Sequence, residues 1–537
     1  MAAYIKRRIG GIKWDLLALI AYTALSVLFT YPVAFSTNKI PGEGDVYWYL
    51  WDLWWFKKSL SSFISPYYTD LIYHPVGADL AFSEVTPANA IASIPLQFVI
   101  GLANTYNLIW LLTFILSGYG TFLLVRYLTG NAKAAFVSGL IFAFCPYRFG
   151  HALGHLNLLS TEWMPFYVLY LIRTVREEKR SCAVYAGLFL LLTALSSYYY
   201  LVYMLAFTLV YISGQQIMHK NILNSAFLKR FVPGMAFFVV GISPFIYPMA
   251  RTVSTRGSTF MYLDGFVDYS ADLLGLFIPS FFHPLFKYAM VPFYANFTGG
   301  PAEFNVFIGY SALALAIIAF LKAKGEDVRF WSLISVSSLI LSLGPVLHLN
   351  GVVHVPVMGQ IHSIPLPYFV LMKIPVFSVF RAPGRWDVLV MLSIAVLSGF
   401  GLSYLAARYR AHPNILYLII SCLVLFEYLA VPFPMVSAHV PSFYEQISGE
   451  EGDYAILDMP TFISPMISPS EYMYYQTVHG KKLVEGYASR IPDSSSDIIN
   501  SMPFVTQLMY LPGSRWGKDI MQQNQAERGR DMLKLYN

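Results

Sequence analysis

Eleven apolar stretches, separated by loops whose basic residues recur on every second one, constrain this chain more than anything else in it. They run over about 15–34, 106–128, 133–147, 162–176, 181–197, 198–214, 231–250, 305–321, 330–347, 387–405 and 414–432. A helix needs about 20 apolar residues to cross the hydrocarbon core of a bilayer. The pattern therefore predicts a mainly α, polytopic helical membrane protein of about eleven spans, the shorter ones leaning on neighbours. Composition agrees: 56% of the 537 residues are hydrophobic and 12% charged, against about 25% charged in a soluble domain. Apolarity that is continuous instead of alternating argues against a membrane β-barrel.

The charges set the expected topology. Lys6/Arg7/Arg8/Lys13, Arg126/Lys133, Arg173/Arg176/Lys179/Arg180, Lys220/Lys229/Arg230, Lys322/Lys324/Arg329 and Arg408/Arg410 all fall on one side. The positive-inside rule makes that side cytoplasmic, with the N-terminus inside and the C-terminus outside, as expected at the cell membrane. Residues 87–103 are also apolar, but a span there would invert every later loop. They are read as a helix lying at the outer surface or re-entering the membrane. The first stretch lacks a small-x-small cleavage site and reads as a span, not a signal peptide.

The net charge of +6 is dispersed among loops, which gives no electrostatic footprint for nucleic acid. Cys145, Cys182 and Cys422 sit in or beside different spans without CxxC or Cys/His spacing. They read as packing thiols, not as a disulfide or zinc framework.

Polar and aromatic complexity gathers outside, in loops over about 35–105, 251–304 and 348–386, the second carrying Asp264, Asp268, Asp272 and His283. The expected division is a membrane module over 1–433, with the large first loop 35–105, and an extracytoplasmic C-terminal domain over 434–537. Within the latter, Asp453–Asp458 and Lys481–Val484 read as strands and Pro492–Ser496 as a loop, giving a small α+β cap.

The first loop opens with Glu43-Gly44-Asp45, followed by Tyr47, Trp48, Tyr49, Trp51, Trp54 and Trp55. A carboxylate held near a membrane surface among headgroup-seeking aromatics is costly and points to function. Asp45 is a candidate general base. It also precedes a stretch where Trp48, Trp51, Asp52 and Trp55 share a helical face, so a helix N-cap is the alternative. Glu43 and Glu84 are candidate second carboxylates, able to orient a donor or bind a divalent cation; each also reads as a solvated loop charge. Asp70 and Asp79 lie in a turn-rich stretch and read as structural. Arg148, His151 and His155, at i, i+3 and i+7, would form one stripe if helical. That stripe could contact an anionic or polar substrate, anchor at the interface or, less consistently with its spacing, bind metal. Glu162 could pair with it. Arg381 and Arg385 flank Pro383-Gly384; their forks suit a phosphate, and headgroup snorkelling is the alternative. No nucleotide or hydrolase motif is present, and no cofactor is required; a divalent metal remains an open question.

With these residues in view, the chain resembles the GT-C superfamily of membrane glycosyltransferases, the group containing protein O-mannosyltransferases. The shared pattern is a cytoplasmic N-terminus, one span, then a long outer loop opening with an acidic motif. Within that group it resembles microbial members through Gly44-Asp45, Tyr73–Gly77, Cys145–His151, Phe380–Arg385 and Tyr475–Gly480. The resemblance implies Asp45 as base, a polyprenyl- or dolichyl-phosphate-linked sugar as donor and a glycan, lipid or protein acceptor. It implies inversion at the outer leaflet, Arg381 and Arg385 on the lipid phosphate, and Gln476 and His479 among substrate contacts. Gly44 departs from the paired-acid motif of the mannosyltransferases, which leaves metal dependence and sugar open. The alternative is a non-enzymatic transporter or flippase-like protein; the absence of repeats and the charge-poor later spans favour the enzyme.

Overall fold

The computed structural model describes residues 2–220, 222–257, 265–357, 360–409, 411–458 and 468–490. Asp264, the expected Pro492–Ser496 loop and the C-terminal stretch beyond it lie outside the described residues. The protein is mainly helical, and a helix underlies each of the eleven apolar stretches. Among the described residues, five helical segments are long and apolar enough to cross a membrane: Ile12–Phe29, Leu102–Thr129, Tyr198–His219, Ser225–Thr255 and Pro383–Arg408. The helices Pro87–Ile100, Arg180–Ser196, Tyr310–Lys322 and Pro413–Glu427 are apolar but shorter.

The chain forms two compact units. One comprises Met1–Ser36, Asn107–Ser243 and Leu263–Pro434; the other comprises Thr37–Tyr106, Pro244–Tyr262 and Met435–Asn537. The expected division kept the first loop with the membrane module. Instead that loop packs with the C-terminal segment, because the Val46–Ser61 helix covers its apolar faces against both Pro87–Ile100 and Pro469–His479.

The first unit is a helical bundle around Asp387–Arg408. Every residue of that helix from Asp387 to Gly399 is buried, under Ala132–Ala143, Tyr310–Lys322 and Glu326–Ser342. A helix apolar all round is stable only when covered or in lipid, and this one is covered. The Ser225–Arg256 helix is the opposite case: Val239 and Val240 are exposed, as on a helix whose solvent is hydrocarbon. Asn131 fixes the start of Ala132–Ala143, its Oδ1 accepting from the Lys133 and Ala134 amides at 3.1 Å.

The second unit is built on short ladders. Lys39–Pro41 pairs antiparallel with Met435–Ser437, and Tyr68–Thr69 with Ala78–Asp79. Ala455–Ile456 runs parallel to Lys482–Leu483, inside both of the expected C-terminal strands. Its core is the aromatic run that the sequence suggested for the headgroup level. Trp48, Trp51 and Trp55 are buried within the unit, with rings at 5.5 and 5.8 Å. Their indole N–H groups find protein partners: Trp51 donates to Gln476 Oε1 at 2.7 Å and Trp55 to the Pro66 carbonyl at 2.9 Å. Satisfied N–H groups are what let tryptophan leave an interface for a core. The Pro87–Ile100 helix turns its polar residues inward, Gln97 donating to the Leu53 carbonyl at 2.9 Å. It leaves Ile91, Phe98 and Val99 exposed.

Candidate functional site

In the second unit the chain reverses at Gly44, whose φ of +61° is a left-handed turn that glycine adopts without a Cβ penalty. The glycine that interrupts the paired-acid motif therefore makes the turn that presents Asp45. Asp45 sits immediately before the Val46–Ser61 helix, but its carboxylate makes no capping bond; only its carbonyl accepts helix amides, from Trp48 and Tyr49. The side chain is half-buried. It accepts a 2.7 Å hydrogen bond from the Tyr487 phenol.

Tyr487 was not singled out by sequence, since 442 positions separate it from Asp45; it follows the expected strand Lys481–Val484 by three residues. Trp48 meets its ring edge-on at 6.4 Å. Burial raises the phenol's pKa, and the nearby Asp45 and Glu84 carboxylates raise it further. The phenol thus stays protonated, as a donor. Glu84 and Asp45 face the same phenol, whereas Glu43 is exposed and joins none of these contacts. Among the described residues no group of three or more His, Cys, Asp or Glu side chains is placed to hold a metal.

The remaining candidates in this unit have internal hydrogen-bond partners. Gln476 is buried, its Nε2 donating to the Leu71 and Lys481 carbonyls at 2.7 and 2.8 Å. With the Trp51 bond it ties the helix Val46–Ser61 to Pro469–His479. His479 Nδ1 accepts from the Lys481 amide at 3.1 Å. Burial, then Lys481, pushes its pKa down to about 4, so it is neutral. Asp79 is fixed by the Ala81 amide at 3.0 Å and the Thr252 hydroxyl at 2.7 Å.

In the first unit the expected Arg148/His151/His155 stripe does not form. The helix Pro146–Ala152 ends before His155, which sits at the start of Leu156–Leu159. Arg148 is fully buried, donating to the Ala143 and Leu159 carbonyls at 2.6 and 3.1 Å and to the Thr113 hydroxyl at 3.0 Å. A guanidinium spent on carbonyls holds chain ends together and does not present a substrate contact. The Nδ1 atoms of His151 and His155 lie 3.3 Å apart. Glu162 is buried near Arg148.

The two arginines also part company. Arg385 is buried, its Nε and Nη2 donating to Glu303 Oε1 at 3.1 and 2.9 Å, with its guanidinium 4.5 Å from the centre of the Tyr199 ring. Glu303, another residue sequence reasoning missed, lies in Pro301–Phe304 and has His151 Nε2 at 3.7 Å. Burial works to raise the Glu303 pKa, but Arg385 overcomes it and brings the carboxyl to about 2. Burial takes His151 down to about 3, so His151 is neutral, and Arg385 is the largest of the influences that lower Glu303. Arg381 is half-buried, 5.0 Å from the Tyr269 ring centre.

The fold is similar to that of solved GT-C membrane glycosyltransferases. The arabinofuranosyltransferase AftD from Mycobacteria superposes on 89% of this chain and 32% of its own, with a TM-score of 0.51 at 14% identity. Two further similar structures are the archaeal oligosaccharyltransferase AglB from Archaeoglobus fulgidus (88% and 64% covered, TM-score 0.48, 12% identity) and ArnT from Cupriavidus metallidurans (90% and 87%, 0.48, 11%). The chain thus spans about two thirds of the AglB length and a third of AftD. The chain belongs to the family described as a domain of unknown function (DUF6311), whose model matches residues 16–426. No curated protein matches it by sequence.

Proposed function

We propose that this protein is an integral-membrane glycosyltransferase of hexosyltransferase type. It moves a sugar from a polyprenyl- or dolichyl-phosphate donor to a glycan, lipid or protein acceptor at the outer face of the cell membrane. Asp45 is the general base. It takes the proton of the acceptor hydroxyl as that oxygen bonds to the anomeric carbon. The anomeric C–O bond to phosphate breaks, the lipid phosphate leaves, and the configuration inverts. The observation that carries this reading is the Asp45 carboxylate itself, half-buried and held by the Tyr487 phenol at 2.7 Å, in a chain whose fold is similar to that of solved membrane glycosyltransferases. A base must be accessible and oriented, and the Tyr487 bond orients this carboxylate. Tyr487 is a positioning residue, and Glu84 a second carboxylate on the same phenol.

Arg381 is the candidate for the lipid phosphate, since Arg385 is engaged by Glu303. The topology belongs to the same proposal: eleven spans, a cytoplasmic N-terminus and an extracytoplasmic C-terminal segment, with Pro87–Ile100 not crossing. Its exposed Phe98 and Val99 and its 14 residues suit an interfacial helix better than a span. The test is transfer from undecaprenyl- and dolichyl-phosphate sugars in reconstituted membranes, comparing wild type with Asp45→Asn. Equal turnover by the two would remove Asp45 as base.

A further inference from the structure

A second concavity in the same unit is distinct in composition from the Asp45 cluster. It encloses about 580 Å³, within the range of about 300–1,000 Å³ typical of small-molecule sites. Tyr67, Tyr68 and Asp79 line one side and Tyr247, Arg251 and Thr255 the other. The first group comes from the two-stranded ladder, where Tyr68 stands opposite Asp79. The second lies on the last turns of the Ser225–Arg256 helix. The Asp79–Thr252 hydrogen bond of 2.7 Å joins the two sides. Gly77 shapes the wall: a Cβ there would come within 2.6 Å of the Tyr68 hydroxyl.

The lining selects its ligand by mixture. Tyr68 and Tyr247 are 50% and 69% exposed, so flat apolar ring faces are left uncovered by the protein. Asp79 is fixed by two donors yet each carboxylate oxygen retains a lone pair. Among the described residues the Arg251 side chain has no hydrogen-bond or ion-pair partner. A phosphate would meet Arg251 but be repelled by Asp79. A hydrocarbon chain would cover the tyrosines but desolvate the Asp79 carboxylate and leave the Arg251 guanidinium without a partner. A sugar ring answers both demands. Its C–H face lies on a tyrosine, its hydroxyls donate to Asp79, and its oxygens accept from Arg251.

We propose that this cavity is a saccharide-binding subsite for the acceptor glycan. That the bound saccharide is the acceptor rests on the glycosyltransferase reading; the binding itself does not. Arg251 further favours an acidic sugar, since its fork matches a carboxylate.

The test uses the full chain in phospholipid nanodiscs, because maltoside detergents would themselves supply sugar. Saturation-transfer NMR is recorded with maltotriose and with a hyaluronan tetrasaccharide as probes, and inorganic phosphate and phosphocholine as competitors. At least one saccharide should give transfer to its ring C–H protons. Tyr247→Ala and Tyr68→Ala should each weaken binding roughly tenfold, as loss of an aromatic face would. Arg251→Gln should weaken the acidic probe more than maltotriose, while Tyr409→Ala, at an exposed tyrosine elsewhere, changes nothing. No transfer to either saccharide overturns the proposal, as does transfer insensitive to Tyr247→Ala or displaced equally by phosphate or phosphocholine. In the transfer assay Tyr247→Ala should raise the acceptor KM and leave the donor KM alone. Transfer with an unchanged acceptor KM would overturn the acceptor role and leave the enzyme reading intact. Saccharide binding by a wild type that transfers nothing would do the reverse.

Discussion

At the scale of the residue, side chains that look equally functional in sequence are placed differently by the structure. The Asp45 side chain precedes a helix yet makes no cap hydrogen bond, so Asp45→Asn should leave folding intact while removing the proposed base. Positioned bases contribute typically about 10²–10⁴-fold, and a loss of at least ~100-fold in turnover is expected, read in the lipid-linked-sugar assay. Tyr487→Phe removes one hydrogen bond to a charged group, worth roughly tenfold or more, and should lower kcat with little change in either KM. The arginines should separate cleanly. Glu303→Gln would leave the Arg385 charge buried without its carboxylate, and breaking such a pair costs about 3–5 kcal/mol. Its thermal midpoint should fall sharply, whereas Arg381→Lys should leave the midpoint unmoved and raise the donor KM through loss of the fork. A donor KM unaltered by Arg381→Lys would leave that phosphate role without support.

At the scale of the element, the second unit carries two buried carboxyls whose titration bears on its stability. Burial raises Asp52 to about 7 against the opposing bonds from Thr86, and burial, then Asp458, raises Glu485 to about 8. Both therefore hold their protons in the folded unit under conditions where the unfolded chain, at about pH 4, has already released them. The folded state binds more protons across that interval, so stability falls as pH rises from about 4 through 7 and 8. Tryptophan fluorescence melts between pH 5 and 9 should show a falling midpoint, flattened in Asp52→Asn and Glu485→Gln. A flat wild-type profile would contradict the assignment. Asp52 also marks what sequence could and could not reveal. Its place on one face with Trp48, Trp51 and Trp55 follows from helical spacing alone. That this face is a protein core and not a membrane surface depends on Gln476, Thr86 and Pro66, which no local pattern connects to it. The same holds for the site. Asp45 is legible because an acid after a first apolar stretch is unusual, while Tyr487 and Glu303 are ordinary residues made important only by tertiary contact. Conversely, Arg148 and Arg385 look functional in sequence because arginine near membrane ends is conspicuous, and the structure gives both to internal partners.

At the scale of the whole molecule, the helices follow the apolar pattern closely because each is a local consequence of composition. Which of them cross the bilayer is a separate matter, since among the described residues five segments suffice by length and composition and the shorter ones need neighbours. The basic loops supply the prediction. If Lys322, Lys324 and Arg329 face the cytoplasm, the connection between Tyr310–Lys322 and Glu326–Ser342 is inside, and three crossings, Glu326–Ser342, Asp387–Arg408 and Pro413–Glu427, place Ser442 outside. Single cysteines at Ser442 and Lys324 report these sides directly. Cys422 is exposed while Cys145 and Cys182 are buried, so a Cys422→Ser background removes the competing thiol. An impermeant maleimide applied to intact cells should label the Ser442 variant at once and the Lys324 variant only after the membrane is opened. Opposite labelling would mean that Pro87–Ile100 crosses after all and that the sides of all later loops are reversed. Labelling of both from one side would mean that one of the short apolar helices does not cross. Either result would also move the C-terminal segment or its flanking loops away from the face where the proposed chemistry takes place.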